Sequence, residues 1–108
     1  MSIEALEKAV IEWAKERDLY RLSCEKTRFA KFMEEVNELI NETWPPGMSF
    51  RDMEAMKLEA GDVIVTLINF LHPYGLDLET CLSAAYEKIK DRTGHMENGT
   101  FVRDRGLN

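Results

Sequence analysis

The chain has 108 residues, of which 44% are hydrophobic and 31% are charged, a composition typical of one soluble globular domain. Its 14 basic and 20 acidic residues give a formal net charge of −6. That balance argues against a protein that coats nucleic acid or binds an anionic membrane, because both need a basic surface. To bind a polyanionic ligand, the protein would therefore need a local source of positive charge, such as a bound cation. We predict a single domain over residues 1–108.

The amino-terminal segment Met1–Glu7 contains two acidic residues where a signal peptide has basic residues followed by an apolar run. The longest apolar stretch, from Val63 to Leu71, includes polar residues and is too short to cross a bilayer. These features predict a cytoplasmic protein that binds no membrane.

Two helices are predicted in the first half of the chain. Apolar residues recur at steps of three and four from Ile3 to Ala14, which indicates an amphipathic helix. The stretch from Arg17 to Leu22 has no such period and is interpreted as a connection. A second helix is predicted from about Cys24 to Glu42, ended by the tandem prolines of residues 44–47, which cannot continue a helix.

A third helix is predicted to start near Phe50 and to reach Leu71. From Val63 onward its apolar residues point nearly all round the axis, which is typical of a helix in the middle of a bundle or at an oligomer interface. Asp77 is the predicted N-cap of a fourth helix, and Gly94 is predicted to close it at the C′ position.

The tail contains Asn98-Gly99, a dipeptide typical of tight turns, which predicts a short extended segment or a small hairpin. The fold class is therefore all-α, a bundle of four helices with a short C-terminal tail. The apolar third helix predicts that the chain assembles as an oligomer.

Five acidic residues lie on the two middle helices. Glu34, Glu35 and Glu38 belong to the second helix and lie opposite its apolar stripe, so by themselves they favour an ordinary solvated face. Glu59 and Asp62 project from a third helix that has little other polar surface, and their alternative interpretation is a position near an exposed helix end.

Burying ionised carboxylates side by side is costly unless a cation compensates them. If the two helices pack antiparallel, Glu35, Glu38, Glu59 and Asp62 converge on one point, with Glu34 close by. An all-oxygen ligand set favours magnesium or manganese over zinc or copper. A di-iron bundle would need Glu-x-x-His motifs, and neither histidine of the chain has a glutamate three residues before it.

The EExxE motif of residues 34–38 and the ExxD motif of residues 59–62 resemble the MazG-like family of all-α nucleoside triphosphate pyrophosphohydrolases. The likeness extends to residues 13–17, to Lys31 before the paired glutamates, to residues 61–67 and to the run from Lys88 to Val102, which is similar to small stand-alone members. Arg28 stands where many relatives have glutamine.

The resemblance implies magnesium-dependent hydrolysis of nucleoside triphosphates to a monophosphate and pyrophosphate, with Mn²⁺ as the other candidate ion. It implies catalytic roles for Glu34, Glu35 and Glu38, of which Glu34 would orient or deprotonate the attacking water. The implied metal ligands are Glu35, Glu38, Glu59 and Asp62. The expected phosphate contacts are Lys31, Lys88 and Arg92, and the expected base-pocket residues are Trp13, Asn98 and Phe101, with Trp13 alternatively a core residue.

Family members form dimers or dimer-based tetramers, so the resemblance also implies at least a homodimer. Two alternatives remain open at this point. One is an enzyme specialised for a single nucleotide, such as dUTP, dCTP, a modified nucleotide or an alarmone. The other is a non-catalytic helical interaction or regulatory module derived from the same fold.

Overall fold

The computed structural model describes residues 1–43 and 52–104, and of residues 42 and 43 it describes the backbone only. The described elements are the helices α1 (Ile3–Glu16), α2 (Leu19–Leu22), α3 (Glu25–Thr43), α4 (Met53–Leu71) and α5 (Leu78–Ile89), and the strands β1 (Gly94–Glu97) and β2 (Thr100–Arg103). The protein is mostly helical, as predicted. The described residues form five α-helices rather than four, because the predicted connection contains the single helical turn α2.

Capping side chains fix where the first and fourth helices begin. Ser2 Oγ accepts a hydrogen bond from the backbone N–H of Ala5 at 3.1 Å. Asp52 Oδ1 accepts from the N–H groups of Glu54 and Ala55 at 3.0 and 3.1 Å. These bonds satisfy donors that have no partner within the first turn of a helix. The predicted start near Phe50 and the prolines of residues 44–47 lie outside the described residues.

The residues group into two compact units, one from Met1 to Asp77 and the other beginning at Leu78. In the first unit α3 and α4 make the most extensive pairing, and α1 packs against α4. The rings of Phe29, near the start of α3, and Phe70, near the end of α4, are 5.7 Å apart. This contact and the carboxylate contacts described below show that the two helices run antiparallel.

Much apolar surface of the first unit remains uncovered. Among the described residues only Ala14 and Ile68 are buried apolar residues. Met33 and Ile40 share one stripe of α3, because seven residues make about two turns, and they are 45% and 52% exposed. Ile64 of α4 is 48% exposed. Among the described residues, no helix combines the length and apolar character needed to cross a membrane.

In the second unit, α5 begins at Leu78, directly after the predicted N-cap Asp77, and ends at Ile89. The prediction that Gly94 closes this helix is therefore wrong, because Gly94 is the first residue of β1 and pairs with Arg103. A Cβ atom at position 94 would overlap with the backbone carbonyl oxygen of Val102. Glycine is needed here for close approach between strands rather than for a helix end.

The predicted small hairpin is present. Strands β1 and β2 are antiparallel, with Glu97 paired to Thr100 across a two-residue turn. Asn98 and Gly99, the two central residues of that turn, have φ values of 51° and 83°. Two positive φ angles are what a type I′ turn requires, and asparagine followed by glycine adopts them at little cost.

Candidate metal centre

Three carboxylates from the facing sides of α3 and α4 converge on one point. One oxygen from each of Glu35, Glu38 and Glu59 lies within 4.8 Å of the other two. Glu35 and Glu38 are neighbours on α3 because three residues make nearly one helical turn. The antiparallel packing brings them opposite Glu59. These three residues are called the carboxylate cluster below.

The burial of Glu35 does not fit an ordinary solvated face. Its exposed fraction is 8%, while Glu59 is half-buried and Glu38 is exposed. The Oε2 atoms of Glu35 and Glu59 are buried and have no hydrogen-bond partner among the described residues. A buried acceptor without a partner costs about 1–3 kcal/mol, and more when it is charged. The interpretation of the α3 acids as an ordinary solvated face is therefore wrong for Glu35.

The negative charges of the three carboxylates in the cluster repel one another. A hydrogen bond with Glu35, the largest cause, together with repulsion from that carboxylate, raises the pKa of Glu38 above its ordinary value. Burial of part of the group and the charge of Glu59 act in the same direction. Without a cation, these neighbours make ionisation of Glu38 less favourable than in water. A divalent ion would relieve the same repulsion without the proton.

Lys31 partly balances the negative charge. Its Nζ atom lies 3.3 Å from Glu35 Oε1 and 3.4 Å from Glu34 Oε1. The hydrogen bond with Glu35, the largest cause, raises the pKa of Lys31, which keeps its ammonium charged. One ammonium facing Glu34 and the three cluster carboxylates leaves a net negative site. Glu34 itself is 55% exposed at its side chain and is paired with Lys31.

Asp62, the fourth predicted ligand, is exposed and is not among the three converging carboxylates. It follows Glu59 by three residues on α4, so its side chain leaves the helix about 60° away around the axis. Its backbone carbonyl accepts a hydrogen bond from Thr66 Oγ1 at 3.1 Å. Its part in metal binding stays a prediction.

Residues 24–97 match the family model described as the MazG nucleotide pyrophosphohydrolase domain. The match covers more than half of the chain and includes the whole carboxylate cluster. The chain belongs to this family. No curated protein and no solved structure was found to be significantly similar to it.

MazG domains generally depend on a divalent metal, and the cluster of this MazG domain fits such an ion. Its donors are all carboxylate oxygens, which suit hard cations. Two of its buried oxygens have no hydrogen-bond partner among the described residues, and a divalent cation would supply one. Glu35, Glu38 and Glu59 are the residues whose positions would hold it.

A separate concavity, called the α3–α4 pocket below, lies between the first turns of α3 and the last turns of α4. Its volume is about 210 Å³ and its wall is mostly apolar. The lining residues are Leu19, Ser23, Thr27, Arg28, Lys31, Thr66 and Asn69. Because Lys31 also contacts Glu35, the pocket adjoins the carboxylate cluster.

The polar atoms of the α3–α4 pocket form a small network. The hydroxyl of Tyr20 donates to Asn69 Oδ1 at 2.7 Å, and burial raises the pKa of Tyr20, which keeps this donor protonated. Arg28 Nη1 donates to Ser23 Oγ at 2.9 Å, whereas Arg28 Nε is buried without a partner among the described residues. No local pattern in the sequence indicates the pairing of Tyr20 with Asn69, because 49 residues separate the two.

Of the remaining predicted substrate contacts, Trp13 belongs to the first unit. Trp13 is 47% exposed, so its interpretation as a core residue is wrong, and the guanidinium of Arg17 stacks on its ring at 4.4 Å. The other four predicted contacts, Lys88, Arg92, Asn98 and Phe101, belong to the second unit. Their roles stay predictions.

Proposed function

We propose that this MazG domain is a magnesium-dependent nucleoside triphosphate pyrophosphohydrolase, which cleaves ribo- or deoxyribonucleoside triphosphates into a monophosphate and pyrophosphate. The observation that carries the proposal is the convergence of Glu35, Glu38 and Glu59, with two buried oxygens unpartnered among the described residues. Membership of a nucleotide pyrophosphohydrolase family supports the reaction class. Mn²⁺ is the alternative ion.

In this proposal the carboxylate cluster and Asp62 hold the ion, and the exposed Glu34 orients or deprotonates the attacking water. The bound ion would neutralise charge on the phosphates and lower the pKa of a water for attack on the α-phosphorus. Lys31, which already faces two carboxylates, would contact phosphate oxygens. In the second unit Lys88 and Arg92 are the proposed phosphate contacts. Trp13, Asn98 and Phe101 are the proposed base contacts.

The burial of Glu35 favours an enzyme over a non-catalytic interaction module. An interaction surface derived from this fold would gain nothing from a buried carboxylate cluster whose charges repel one another. Replacing buried charged groups with well-packed apolar residues is often neutral or stabilising. The presence of a buried acid among like charges therefore supports a function that uses it.

The test is to assay nucleotide hydrolysis with magnesium, with EDTA, and with the Glu38→Gln variant. We expect monophosphate and pyrophosphate only with magnesium and intact Glu38, because a neutral amide is a poor ligand for a hard cation. Glu12→Gln, which alters an exposed glutamate of α1, is the matched control. Equal rates in all three conditions would refute the proposal, and release of orthophosphate would indicate a phosphatase instead.

We also propose that the MazG domain assembles as a homodimer or a dimer-based tetramer. The stripe of Met33 and Ile40 and the side chain of Ile64 leave apolar surface uncovered, and burying that surface against a second copy is favourable. Light scattering coupled to size exclusion is expected to give a mass at least twice the 12.5 kDa of one chain. A monomer at micromolar concentration would contradict this expectation.

A further inference from the structure

We propose that Lys31 makes the carboxylate cluster selective for magnesium over calcium, because it occupies carboxylate oxygens that calcium would otherwise recruit. This inference rests on the proposed function, since it concerns the divalent ion that the cluster would bind. It starts from an asymmetry between the two oxygens of Glu35. The Oε1 atom lies 3.3 Å from Lys31 Nζ, whereas the Oε2 atom is buried and has no hydrogen-bond partner among the described residues.

The ammonium of Lys31 engages two acids of α3 at once. Its Nζ atom also lies 3.4 Å from Glu34 Oε1, so it holds one oxygen of each glutamate. An ammonium has three N–H donors, and the third remains for a phosphate oxygen, as proposed above. Because Lys31 is itself exposed, replacing it is not expected to disturb the packing of α3 against α4.

Magnesium and calcium differ in what they need from carboxylates. Mg²⁺ binds in a nearly octahedral arrangement, usually to a small number of carboxylates together with waters and substrate phosphates. Ca²⁺ takes more oxygens, in a more flexible arrangement, and accepts both oxygens of one carboxylate. A site that offers few carboxylate oxygens, one from each side chain, therefore favours magnesium.

The carboxylate cluster has this character while Lys31 is in place. One oxygen from each of its three residues reaches the point of convergence. A calcium ion that used both oxygens of Glu35 would have to share Oε1 with the ammonium, and the two cations would repel each other. The Oε1 atom of Glu34 is engaged in the same way. Without Lys31 both oxygens would be available as ligands, and the site would suit calcium better.

The experiment measures the dissociation constants of Mg²⁺ and Ca²⁺ by calorimetry, without nucleotide, for the wild type and for Lys31→Met, Lys31→Arg and Lys8→Met. We expect the wild type to bind Mg²⁺ more tightly than Ca²⁺. Lys31→Met is expected to shift the ratio of the two constants toward calcium by about 10-fold or more, an effect typical of residues that orient a metal ligand. Lys31→Arg keeps a cation that can bond to the same oxygens, so the wild-type ratio is expected to be retained. Lys8→Met is the matched control, because it removes an exposed ammonium that pairs with Glu4 on α1.

A Lys31→Met protein that binds both ions more tightly or more weakly by the same factor would overturn the selectivity proposal, because the lysine would then act through its charge alone. A wild type that binds calcium more tightly, or that binds neither ion, would overturn it as well. Lys31→Ala replaces Lys31→Met if the latter fails to fold.

A separate assay of pyrophosphate release by the wild type with magnesium distinguishes this proposal from the proposed function. Selective ion binding that depends on Lys31, without nucleotide hydrolysis, would refute the hydrolase alone. Hydrolysis by the wild type, together with an unchanged ratio of the two constants in Lys31→Met, would refute the selectivity alone.

Discussion

Replacing Glu35 by glutamine is expected to lower kcat/KM for pyrophosphate release by at least about 100-fold, more than the 10- to 100-fold typical of groups that only support a metal ligand. Glu35 is the buried member of the carboxylate cluster, and its Oε2 atom has no other partner among the described residues. Glutamine has nearly the same shape, so the helix pairing is retained while the negative charge is lost. Initial rates at saturating magnesium measure the effect.

Glu34→Gln provides the informative comparison. Glu34 is exposed and lies outside the carboxylate cluster, so its replacement is expected to change magnesium affinity little. If Glu34 deprotonates the attacking water, as proposed, Glu34→Gln is expected to reduce kcat by about 100-fold or more. Glu35→Gln is expected to weaken magnesium binding as well. An enzyme that keeps wild-type activity after Glu35→Gln would show that the buried carboxylate has a structural role only.

Magnesium is expected to raise the thermal stability of the wild type, and Glu38→Gln is expected to remove most of that increase. A ligand at 100 times its dissociation constant stabilises the folded state by about 2.7 kcal/mol. Without magnesium, we expect Glu38→Gln to be more stable than the wild type near neutral pH. The hydrogen bond with Glu35 and the repulsion from that carboxylate, which raise the pKa of Glu38, disfavour its ionised form in the wild type, and glutamine carries no charge. Thermal unfolding at a fixed protein concentration, with EDTA and with magnesium, measures both effects.

The same pKa shift sets the direction of the pH dependence in EDTA. Because the pKa of Glu38 is raised in the folded state, the unfolded chain loses this proton more readily. Stability from the protonated carboxyl is full below the unfolded pKa and is lost as pH rises through the folded pKa. Wild type is therefore expected to lose more stability than Glu38→Gln between mildly acidic and neutral pH. Parallel pH profiles for the two proteins would contradict this account, and Glu12→Gln should follow the wild type.

Local sequence signals located most of the helices. The apolar period acts within a few residues, and so does Asp77, which directly precedes the start of α5 at Leu78, so both signals can be recognised without knowledge of the fold. The hairpin could be predicted for the same reason, because the two turn residues, Asn98 and Gly99, adopt the required positive φ angles readily. The prediction for Gly94 was wrong because the constraint on this position is tertiary. A side chain at position 94 would overlap with the backbone of Val102, which lies eight residues later on the neighbouring strand.

By itself the sequence determined the helical class, the acidic motifs and the family, because these depend on residue identity and spacing along one chain. Only the tertiary structure decided which acids meet. Glu35 and Glu59 lose solvent because α3 packs against α4, whereas Asp62, one turn further on, remains exposed. The pairing of Tyr20 with Asn69 likewise depends on how the helices pack. Burial and convergence are properties of packed surfaces, and no spacing within a single helix specifies them.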